Sequence, residues 1–345
     1  MAAIKDCSLD AAFVCDRYHV YYFTGYWTRP YFAPLALIER DGSTWLSAPE
    51  PPTDAIAADH VLVHEPSYNG TLVDDRFGAA VEPLLEHFSE SKQLGYVGQV
   101  GPCQLPSSQW RSLNEEVLKI RRTKYDDEVD LFRFAVAAAE AAYQYAFESL
   151  HPGLTEVELF AGMQAAVCEF VGEPTGEFGN DFQVCSPGGL PRRRAALEGE
   201  VAILDLSVNV RGYSSDLSRS FVVGRRPSDL QIIAHNRITE VLATVEAAIS
   251  PQARCRELFK IAENLLSGYR GWKFGHHLGH GIGLGKHEAP RLNPRWDDAI
   301  QVGDVFTVEP GLYGEDLRAG LRIEQDYYLS PSGLQCLSKF PIGLA

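Results

Sequence analysis

The chain has 345 residues, of which 45% are hydrophobic and 22% are charged, and its formal net charge is −15. This composition is that of a globular protein with enough apolar material for a core, and the length predicts two domains of about 150 residues each. The acidic balance argues against a nucleic-acid partner, because no basic stripe offsets it, and no stretch reaches the roughly 18 apolar residues of a membrane span.

The seven cysteines predict a reducing compartment. They are scattered along the chain, odd in number and without a CxxC pair, which is typical of free thiols in the cytoplasm rather than of a disulfide framework. The first residues, MAAIKDCSLDAAF, lack a basic segment followed by a long apolar run, so we expect no secretory signal. These observations predict a cytoplasmic protein without a membrane partner.

The N-terminal hundred residues alternate short apolar stretches with turns. Strands are predicted in AAFVCD, YHVYYFTGY, FAPLALIER, STWLSA and LGYVGQV, and a helix in VEPLLEHF. We therefore expect a small α/β domain over residues 1–118. The next segment, EVLKIRRTKYDDEVDLF, is dense in charges of both signs and leads into a second domain over residues 119–345.

The second domain begins with predicted helices. The alanine-rich stretch EVDLFRFAVAAAEAAYQYAFESL has helical period and ends at Pro152–Gly153. Thr155 and Glu158 form a capping box that starts the next helix, which runs to about Val171. Two more helices are predicted in DLQIIAHNRITEVLATVEAAI and CRELFKIAENLLSGY. Because strands lie between and after these helices, we expect an α+β domain.

Two predicted β-hairpins carry paired carboxylates. In VAILDLSVNVRGYSSDLSRSFVV, a turn centred between residues 210 and 211 would place Asp205 directly opposite Asp216. In DVFTVEPGLYGEDLRAGLRIEQDYYL, Glu309 and Glu324 are symmetric about a turn near residues 315–317. Opposed residues of an antiparallel pair lie on one face with Cβ atoms about 5 Å apart. Each hairpin is therefore predicted to present a facing pair of acids.

Facing carboxylates need an explanation, since like charges destabilise a sheet and a charge in an apolar strand is costly unless it is paired. A pair of divalent cations would explain both hairpins. Four carboxylates with one imidazole suit Mn²⁺, Co²⁺, Fe²⁺ or Zn²⁺. The alternative is that one or both hairpins face solvent and the acids serve only solubility.

Candidate imidazoles lie in the stretch GHHLGHGIGLGKHEAP, which contains His276, His277, His280 and His287. A zinc-binding helix with ligands four residues apart is disfavoured, because the interleaved glycines each cost roughly 1 kcal/mol in a helix. A phosphate-binding loop is also disfavoured, since that motif needs glycine and hydroxyl residues where histidines stand. A polar loop with incidental imidazoles remains possible at this point.

Five of these residues, in their sequence context, resemble a known signature. Asp205, Asp216, His280, Glu309 and Glu324, in LDLSVNVRGYSSDLSRSF, GHGIGLGKHEAP, TVEPGLY and GLRIEQ, are similar to the five metal ligands of the pita-bread metallopeptidases. That family includes aminopeptidase P, prolidase and methionine aminopeptidase, with creatinase as a metal-free relative. The resemblance covers roughly residues 120–345, and the N-terminal part is similar to the N-terminal domain of creatinase and prolidase.

The resemblance implies a fold, a cofactor and a reaction. The fold is a pita-bread catalytic domain of α+β class after a smaller α/β domain, and relatives are commonly homodimers. The cofactor is two divalent metal ions, with Mn²⁺ preferred to Zn²⁺, Co²⁺ or Fe²⁺. The reaction is hydrolysis of an amide bond in a small substrate, foremost an Xaa-Pro peptide, by a dipeptidase or an aminopeptidase.

The same resemblance implies roles for the individual residues. Asp205 binds one metal, Asp216 and Glu324 bridge the two, and His280 and Glu309 complete the second. Among the catalytic residues, Glu309 also holds the proton of the attacking water. The remaining implied roles are stabilisation of the reacting carbonyl by His287, shaping of the substrate pocket by His276 and orientation of ligands or substrate by Arg322. His277 matches no position in the family, so we expect it to lie outside the site, and the glycines are expected to let the backbone approach the metals.

The stretch DFQVCSPGGLPRRRAALEGEVAILDL departs from the peptidase pattern. It lacks the histidine that peptidase members carry before the first aspartate ligand, and it holds the run Arg192–Arg194 instead. In addition, Ser207 replaces a glycine and Gln325 replaces an acid. We therefore expect weak turnover of ordinary Xaa-Pro dipeptides and a preference for a substrate with an anionic group held by an arginine of this run. Alternatively, all three arginines face solvent.

Two other functions remain open from the sequence. The chain could act on a non-peptide small molecule, either as a hydrolase of a C–N bond or as a lyase. It could also be a binding protein that keeps the fold without turnover, although a complete ligand set argues against this.

Overall fold

A computed structural model describes residues 2–28, 31–85, 93–98, 110–176 and 178–344. The chain forms two compact units, Met1–Ile120 and Arg121–Ala345. The boundary between them lies two residues after the expected one. None of the helices in these ranges combines the length and apolar character needed to span a bilayer. The six cysteines in the described ranges are free thiols, and Cys103 lies outside those ranges.

The first unit is built on a six-stranded mixed sheet with the order β4-β3-β2-β1-β7-β8. Its strands are β1 (Ala11–Val14), β2 (Leu35–Glu39), β3 (Thr44–Ala48), β4 (His60–Val63), β5 (Ser67–Tyr68), β6 (Thr71–Leu72), β7 (Leu94–Val97) and β8 (Trp110–Ser112). Its helices are α1 (Ala2–Asp6), α2 (Arg17–Thr24), α3 (Arg76–Leu85) and α4 (Asn114–Arg122), the last of which ends just past the division. The predicted α/β class is confirmed.

The predicted strand YHVYYFTGY is wrong, because it forms most of helix α2. Asp16 caps this helix by accepting hydrogen bonds from the backbone N–H groups of Tyr18 and His19. Gly25 ends it in the left-handed conformation, with φ of 75°. Aromatic residues favour strands only weakly, so the caps at both ends decide the local structure. The predicted helix at residues 81–88 begins earlier, in α3, and residues 86–88 lie outside the described ranges.

The second unit combines four helices with antiparallel sheets. Its helices are α5 (Asp126–Ser149), α6 (Glu156–Val171), α7 (Asp229–Ala248) and α8 (Cys255–Leu266), with 3₁₀ turns at Tyr269–Gly271 and Glu315–Leu317. Its strands are β9 (Val201–Leu206), β10 (Asn209–Val210), β11 (Tyr213–Ser214), β12 (Leu217–Val222), β13 (Gly279–Gly281), β14 (Glu288–Leu292), β15 (Val305–Val308), β16 (Gly311–Gly314), β17 (Ala319–Arg322), β18 (Gln325–Ser330) and β19 (Gly333–Cys336). Five strands form one sheet in the order β14-β13-β15-β18-β19. The four predicted helices and the α+β class are confirmed.

The helix before the first hairpin starts as its sequence predicts. The Thr155 hydroxyl accepts a hydrogen bond from the backbone N–H of Glu158 at 3.3 Å, and the Glu158 carboxylate accepts one from the backbone N–H of Thr155 at 2.9 Å. This reciprocal arrangement is the predicted capping box.

The first carboxylate hairpin has a different register from the predicted one. Asp205 pairs with Ser218 rather than with Asp216, because the turn is centred on Arg211 and Gly212, which both have positive φ. A two-residue hairpin turn of this kind requires left-handed backbone at both positions, and Gly212 adopts it without strain. Asp216 precedes Ser218 by two residues, so it remains a diagonal neighbour of Asp205.

The second carboxylate hairpin has the predicted register. The pairs Val308 with Gln325 and Gly311 with Arg322 flank Glu309 and Glu324 in one continuous alignment. A 3₁₀ turn at residues 315–317 closes the hairpin. Glu309 and Glu324 are therefore opposed, as the symmetry of the sequence predicts.

An apolar core fixes which way these strands face. Phe306 and Val308 of β15 and the pair Leu321 and Ile323 lie in one buried cluster with helices α7 and α8. Side chains alternate between the two faces of a strand. The intervening positions, including Glu309, Arg322 and Glu324, consequently point away from this core.

Candidate active site

Carboxylates and an imidazole from three segments converge on one point. Ligand atoms of Asp216, His280 and Glu324 all lie within 4.8 Å of one another. The Nε2 atom of His280 lies 3.7 Å from Asp216 Oδ2 and 3.9 Å from Glu309 Oε1. His280, Glu309 and Glu324 are buried. The structure thus brings together four of the five residues that the sequence resemblance identified as metal ligands.

The fifth residue, Asp205, adjoins this cluster through an arginine. Arg322 Nη2 lies 2.8 Å from Asp205 Oδ2 and also contacts the Asp181 carboxylate. Asp205 and Asp181 are further joined by the backbone, since the N–H of Asp205 donates to the Asp181 carbonyl at 2.9 Å. Arg322 therefore joins the two carboxylates, and Asp181 is a contact that sequence reasoning missed.

The electrostatics of the cluster are those of crowded anions. Burial raises the pKa of Asp205 to about 6, even though Arg322 acts in the opposite direction. Burial, followed by neighbouring carboxylates, raises the pKa of Asp216 and of Glu324 well above their ordinary values. For Glu309 burial acts upward too, but contacts with histidines, foremost His277, lower its pKa. Such a site favours a bound cation, and an oxygen-rich donor set with one imidazole fits a divalent metal.

The glycine-rich segment holds His280 in place through backbone contacts. The backbone N–H of His280 donates to the Thr307 hydroxyl at 3.2 Å. A Cβ atom at Gly279 would lie 2.0 Å from the Thr307 carbonyl oxygen, and one at Gly281 would lie 2.1 Å from the Ala289 carbonyl oxygen. These glycines therefore allow β13 to pack against its neighbours, a structural reason that differs from the expected approach to the metals.

His277 contacts the site directly, which corrects the expectation that it lies outside. Its Nε2 atom is 2.7 Å from Glu309 Oε1, and this close contact with the carboxylate raises the pKa of His277. Because the backbone N–H of Glu309 donates to the carbonyl of Leu278 at 2.8 Å, residue 277 is held beside the carboxylate. Residues 278 and 309 are far apart in the chain, so no local sequence pattern predicts this contact.

The other two histidines of this segment lie beside the candidate ligands. The ring of His287 stacks on that of His280, with centroids 3.8 Å apart. His276 Nε2 lies 3.0 Å from the Tyr313 hydroxyl, and its Nδ1 lies 2.7 Å from the carbonyl of His277. Burial lowers the pKa of all three rings at positions 276, 280 and 287, that of His280 to about 4. A lowered pKa favours the uncharged form of these rings at neutral pH.

Tyr313 and Asp326 are site residues that sequence reasoning missed. The Tyr313 hydroxyl accepts a hydrogen bond from Arg322 Nη1 at 3.3 Å, in addition to its contact with His276. Asp326 Oδ2 accepts from the backbone N–H of Asp216 at 3.0 Å. A signal for Asp326 existed in the alternation of strand faces, because it lies two residues after Glu324 and shares its face.

The arginine run is mostly engaged within the protein. Arg192 forms hydrogen bonds to both carboxylate oxygens of the buried Glu156, and Arg194 does the same with the buried Glu200. Arg193 is exposed. Of the two smaller departures, Gln325 accepts a hydrogen bond from Arg219 at 2.7 Å, and Ser207 is buried. Arg192 and Arg194 therefore anchor the loop between α6 and β9.

Comparisons with known proteins agree with this architecture. The profile of metallopeptidase family M24 matches residues 130–331, and that of the creatinase/prolidase N-terminal domain matches residues 1–134. An uncharacterized peptidase of Staphylococcus aureus strain USA300 is 29% identical over 343 residues, covering 96% of this chain and 95% of that protein.

Solved structures show the same fold at lower sequence identity. The prolidase from Pyrococcus furiosus superposes with a TM-score of 0.81 at 23% identity, covering 98% of both chains. An Xaa-Pro dipeptidase from Bacillus anthracis also gives 0.81 at 23% identity, covering 99% of this chain and 96% of that one.

The fold and the site together define a two-domain metallopeptidase. Since the family profile covers more than half of its length, the chain belongs to metallopeptidase family M24.

Proposed function

We propose that this metallopeptidase hydrolyses the amide bond of Xaa-Pro peptides with two divalent metal ions, Mn²⁺ foremost. The observation that supports it is the convergence of Asp216, His280 and Glu324 within 4.8 Å, with Glu309 and Asp205 beside them. These five residues would hold the metals. The names of the two solved relatives, a prolidase and an Xaa-Pro dipeptidase, support the choice of substrate.

Bound there, divalent ions would lower the pKa of a water molecule and polarise the substrate carbonyl. The residues around them supply the remaining functions. Glu309, whose pKa is held low by His277, accepts the proton of the attacking water. His287 donates a hydrogen bond to the oxygen that gains negative charge. His276, Tyr313 and Arg322 form a hydrogen-bonded wall that orients the substrate.

The proposal extends to assembly and compartment. We expect a homodimer, because the family resemblance implies one. We expect it in the cytoplasm, because the cysteine pattern is typical of a reducing compartment. Size-exclusion chromatography with light scattering measures the first expectation.

One experiment tests the reaction and the metal together. The chelator-treated protein is loaded with Mn²⁺, its metal content is measured, and hydrolysis of Ala-Pro, Ala-Ala and Ala-Pro-Ala is followed by detection of free amino acids. We expect two ions per chain and cleavage confined to the proline-containing peptides. Asp216→Ala should lose metal and at least about 100-fold in kcat/KM, whereas Asp130→Ala, an exposed acid with 73% of its side chain accessible, should retain both. Equal activity of parent and Asp216→Ala would contradict the proposal.

A second candidate is hydrolysis of a C–N bond in a non-peptide small molecule. The observation that favours it is the missing histidine in the loop between α6 and β9, where Arg192 and Arg194 serve the protein itself. Weak turnover of Xaa-Pro dipeptides with strong turnover of small amides in the same assay would favour this candidate.

A further inference from the structure

A cavity of about 860 Å³ borders the wall formed by His276, Tyr313 and Arg322. Tyr313 belongs to its lining, and the same residue contacts His276 and Arg322 through its hydroxyl. Lys273 pairs with Tyr313 through two backbone hydrogen bonds of 2.9 Å, which joins the cavity rim to this wall. The cavity is therefore placed to receive the part of a substrate that extends away from the metal ligands.

Cations outnumber carboxylates among the side chains that line this cavity. Arg270, Lys273 and Arg318 contribute three positive charges, against Glu315 and Asp316. Asp316 is already engaged, because its carboxylate accepts a hydrogen bond from the indole N–H of Trp272 at 2.8 Å.

These three cations are available to a ligand. Within the described ranges, none of them is in a salt bridge with a carboxylate, in contrast to Arg192 and Arg194. All three are exposed at their side chains. In a chain with a net charge of −15, a local group of unpaired cations beside a reaction centre attracts anions and raises their local concentration.

The backbone of the cavity wall is unusual. Four lining residues other than glycine have positive φ: Cys185 at 54°, Arg270 at 54°, Arg318 at 58° and Ala319 at 100°. Such residues are a few per cent of non-glycine positions, and they concentrate where a site holds side chains in a set direction. Arg270 and Arg318, two of the three cations, are among them.

We propose that this cavity is a specificity pocket that binds a carboxylate group of the substrate through Arg270, Lys273 and Arg318. This proposal rests on the proposed amide hydrolysis and specifies which chemical group of the substrate the enzyme selects. The carboxylate is either the free C-terminus of the peptide or an acidic side chain. The cations that select it are those of the cavity and not the run at residues 192–194.

Two matched pairs of substrates distinguish the two sources of the carboxylate. Ala-Pro is compared with Ala-Pro amide, and Glu-Pro amide is compared with Gln-Pro amide, by kcat/KM with the Mn²⁺-loaded protein. We expect kcat/KM to be about tenfold higher for the charged member of one pair. This ratio corresponds to about one charge-assisted hydrogen bond. Arg318→Asn, Arg270→Asn and Lys273→Gln should each reduce this preference and leave the neutral member within about twofold; asparagine tolerates the left-handed backbone of the two arginines.

Arg193→Gln is the matched control, since it removes an exposed cation that does not line the cavity. It should leave the preference unchanged. No preference for the charged member of either pair, or a preference that survives all three cavity variants, would overturn the proposal.

A binding measurement separates this inference from the proposed reaction. Calorimetric titration of the same four ligands into chelator-treated protein reports the carboxylate preference without turnover. If no peptide is hydrolysed but the charged ligands bind more tightly, and Arg318→Asn removes the difference, the reaction is wrong and the pocket is right. Equal binding of charged and neutral ligands would reject the pocket, whatever the hydrolysis assay gives.

Discussion

At the scale of single residues, His277 and Glu309 illustrate how a neighbour sets the chemistry of a group. Glu309 is buried, which by itself would raise its pKa. The imidazole of His277 at 2.7 Å, together with those of His276 and His280, reverses that effect. A carboxylate kept ionised in this way is in the form that metal binding requires. His277 is accordingly a positioning residue for Glu309 rather than a bystander.

This pairing predicts the effect of replacing His277. His277→Gln should lower kcat/KM about tenfold while metal binding persists. Loss of an outer contact that supports a metal ligand reduces activity or metal affinity about 10- to 100-fold. His280→Ala should remove metal binding itself. The measurements are kcat/KM and calorimetric Mn²⁺ affinity on both variants, and loss of metal from His277→Gln as complete as that from His280→Ala would contradict the distinction.

At the scale of elements, the position of the site depends on close packing of strands. β13 lies between β14 and β15, and it can do so only because glycines flank His280. The register of β9 and β12 illustrates the same dependence, since the turn at Arg211 and Gly212 decides which residue opposes Asp205.

Gly279→Ala is expected to disrupt this packing. The new Cβ atom would lie 2.0 Å from the backbone carbonyl oxygen of Thr307, so β13 and β15 would have to separate, at a cost of about 3 kcal/mol in the free energy of unfolding. Gly275→Ala is the control in the same loop, because no atom lies within 4 Å of its Cβ position. Urea denaturation of both variants measures the difference, and equal midpoints would show that the strands adjust without cost.

A buried group of three charged side chains holds the segment that follows His287. Glu288, next to His287, accepts hydrogen bonds from Arg121 at 2.8 Å and from Lys124 at 3.1 Å. All three side chains are at most 7% exposed. The group therefore fixes the start of β14 and, with it, the approach of His287 to His280.

Glu288→Gln should destabilise the protein by about 3 kcal/mol, because it leaves two buried cations without their counter-charge. The comparison is Glu257→Gln, which breaks an exposed pair with Lys260 and should cost under about 0.5 kcal/mol. Both values come from urea denaturation followed by circular dichroism. A difference of less than about 1 kcal/mol between the two variants would mean that water reaches the buried group.

At the scale of the whole molecule, the site is a concentration of buried and half-buried acids in an acidic protein. Asp205, Asp216 and Glu324 repel one another when no cation is bound, as the raised pKa of each indicates. Repulsion of this kind opposes folding, and binding of a cation to the folded state offsets it.

Glu324→Gln is therefore expected to have opposite effects with and without metal. In chelator-treated protein it should raise the midpoint of thermal unfolding by about 3 °C, because it removes an acid whose ionised form is destabilised by burial and by neighbouring carboxylates. With excess Mn²⁺ the parent should become the more stable of the two, since it binds the metal and the variant does not. Differential scanning calorimetry measures both midpoints, with the exposed Glu263→Gln as control; a variant less stable than the parent in both conditions would contradict the account.

The sequence by itself determined the elements with strong local signals. The long helices, the capping box at Thr155 and Glu158 and the symmetry of Glu309 and Glu324 about their turn all depend on residues close in the chain. The family resemblance identified the five candidate ligands, and four of them converge. Helix α2 was not predicted, because its aromatic residues suit a strand equally well and only its caps distinguish the two.

Tertiary structure decided what depends on residues distant in the chain. The register of Asp205 depends on a turn with two left-handed residues, and the contact of His277 with Glu309 depends on the pairing of residues 278 and 309. The arginines at 192 and 194 looked free in the sequence, whereas buried glutamates engage both. Burial and proximity set the pKa of a group and the partner of a charge, and neither is a property of local sequence.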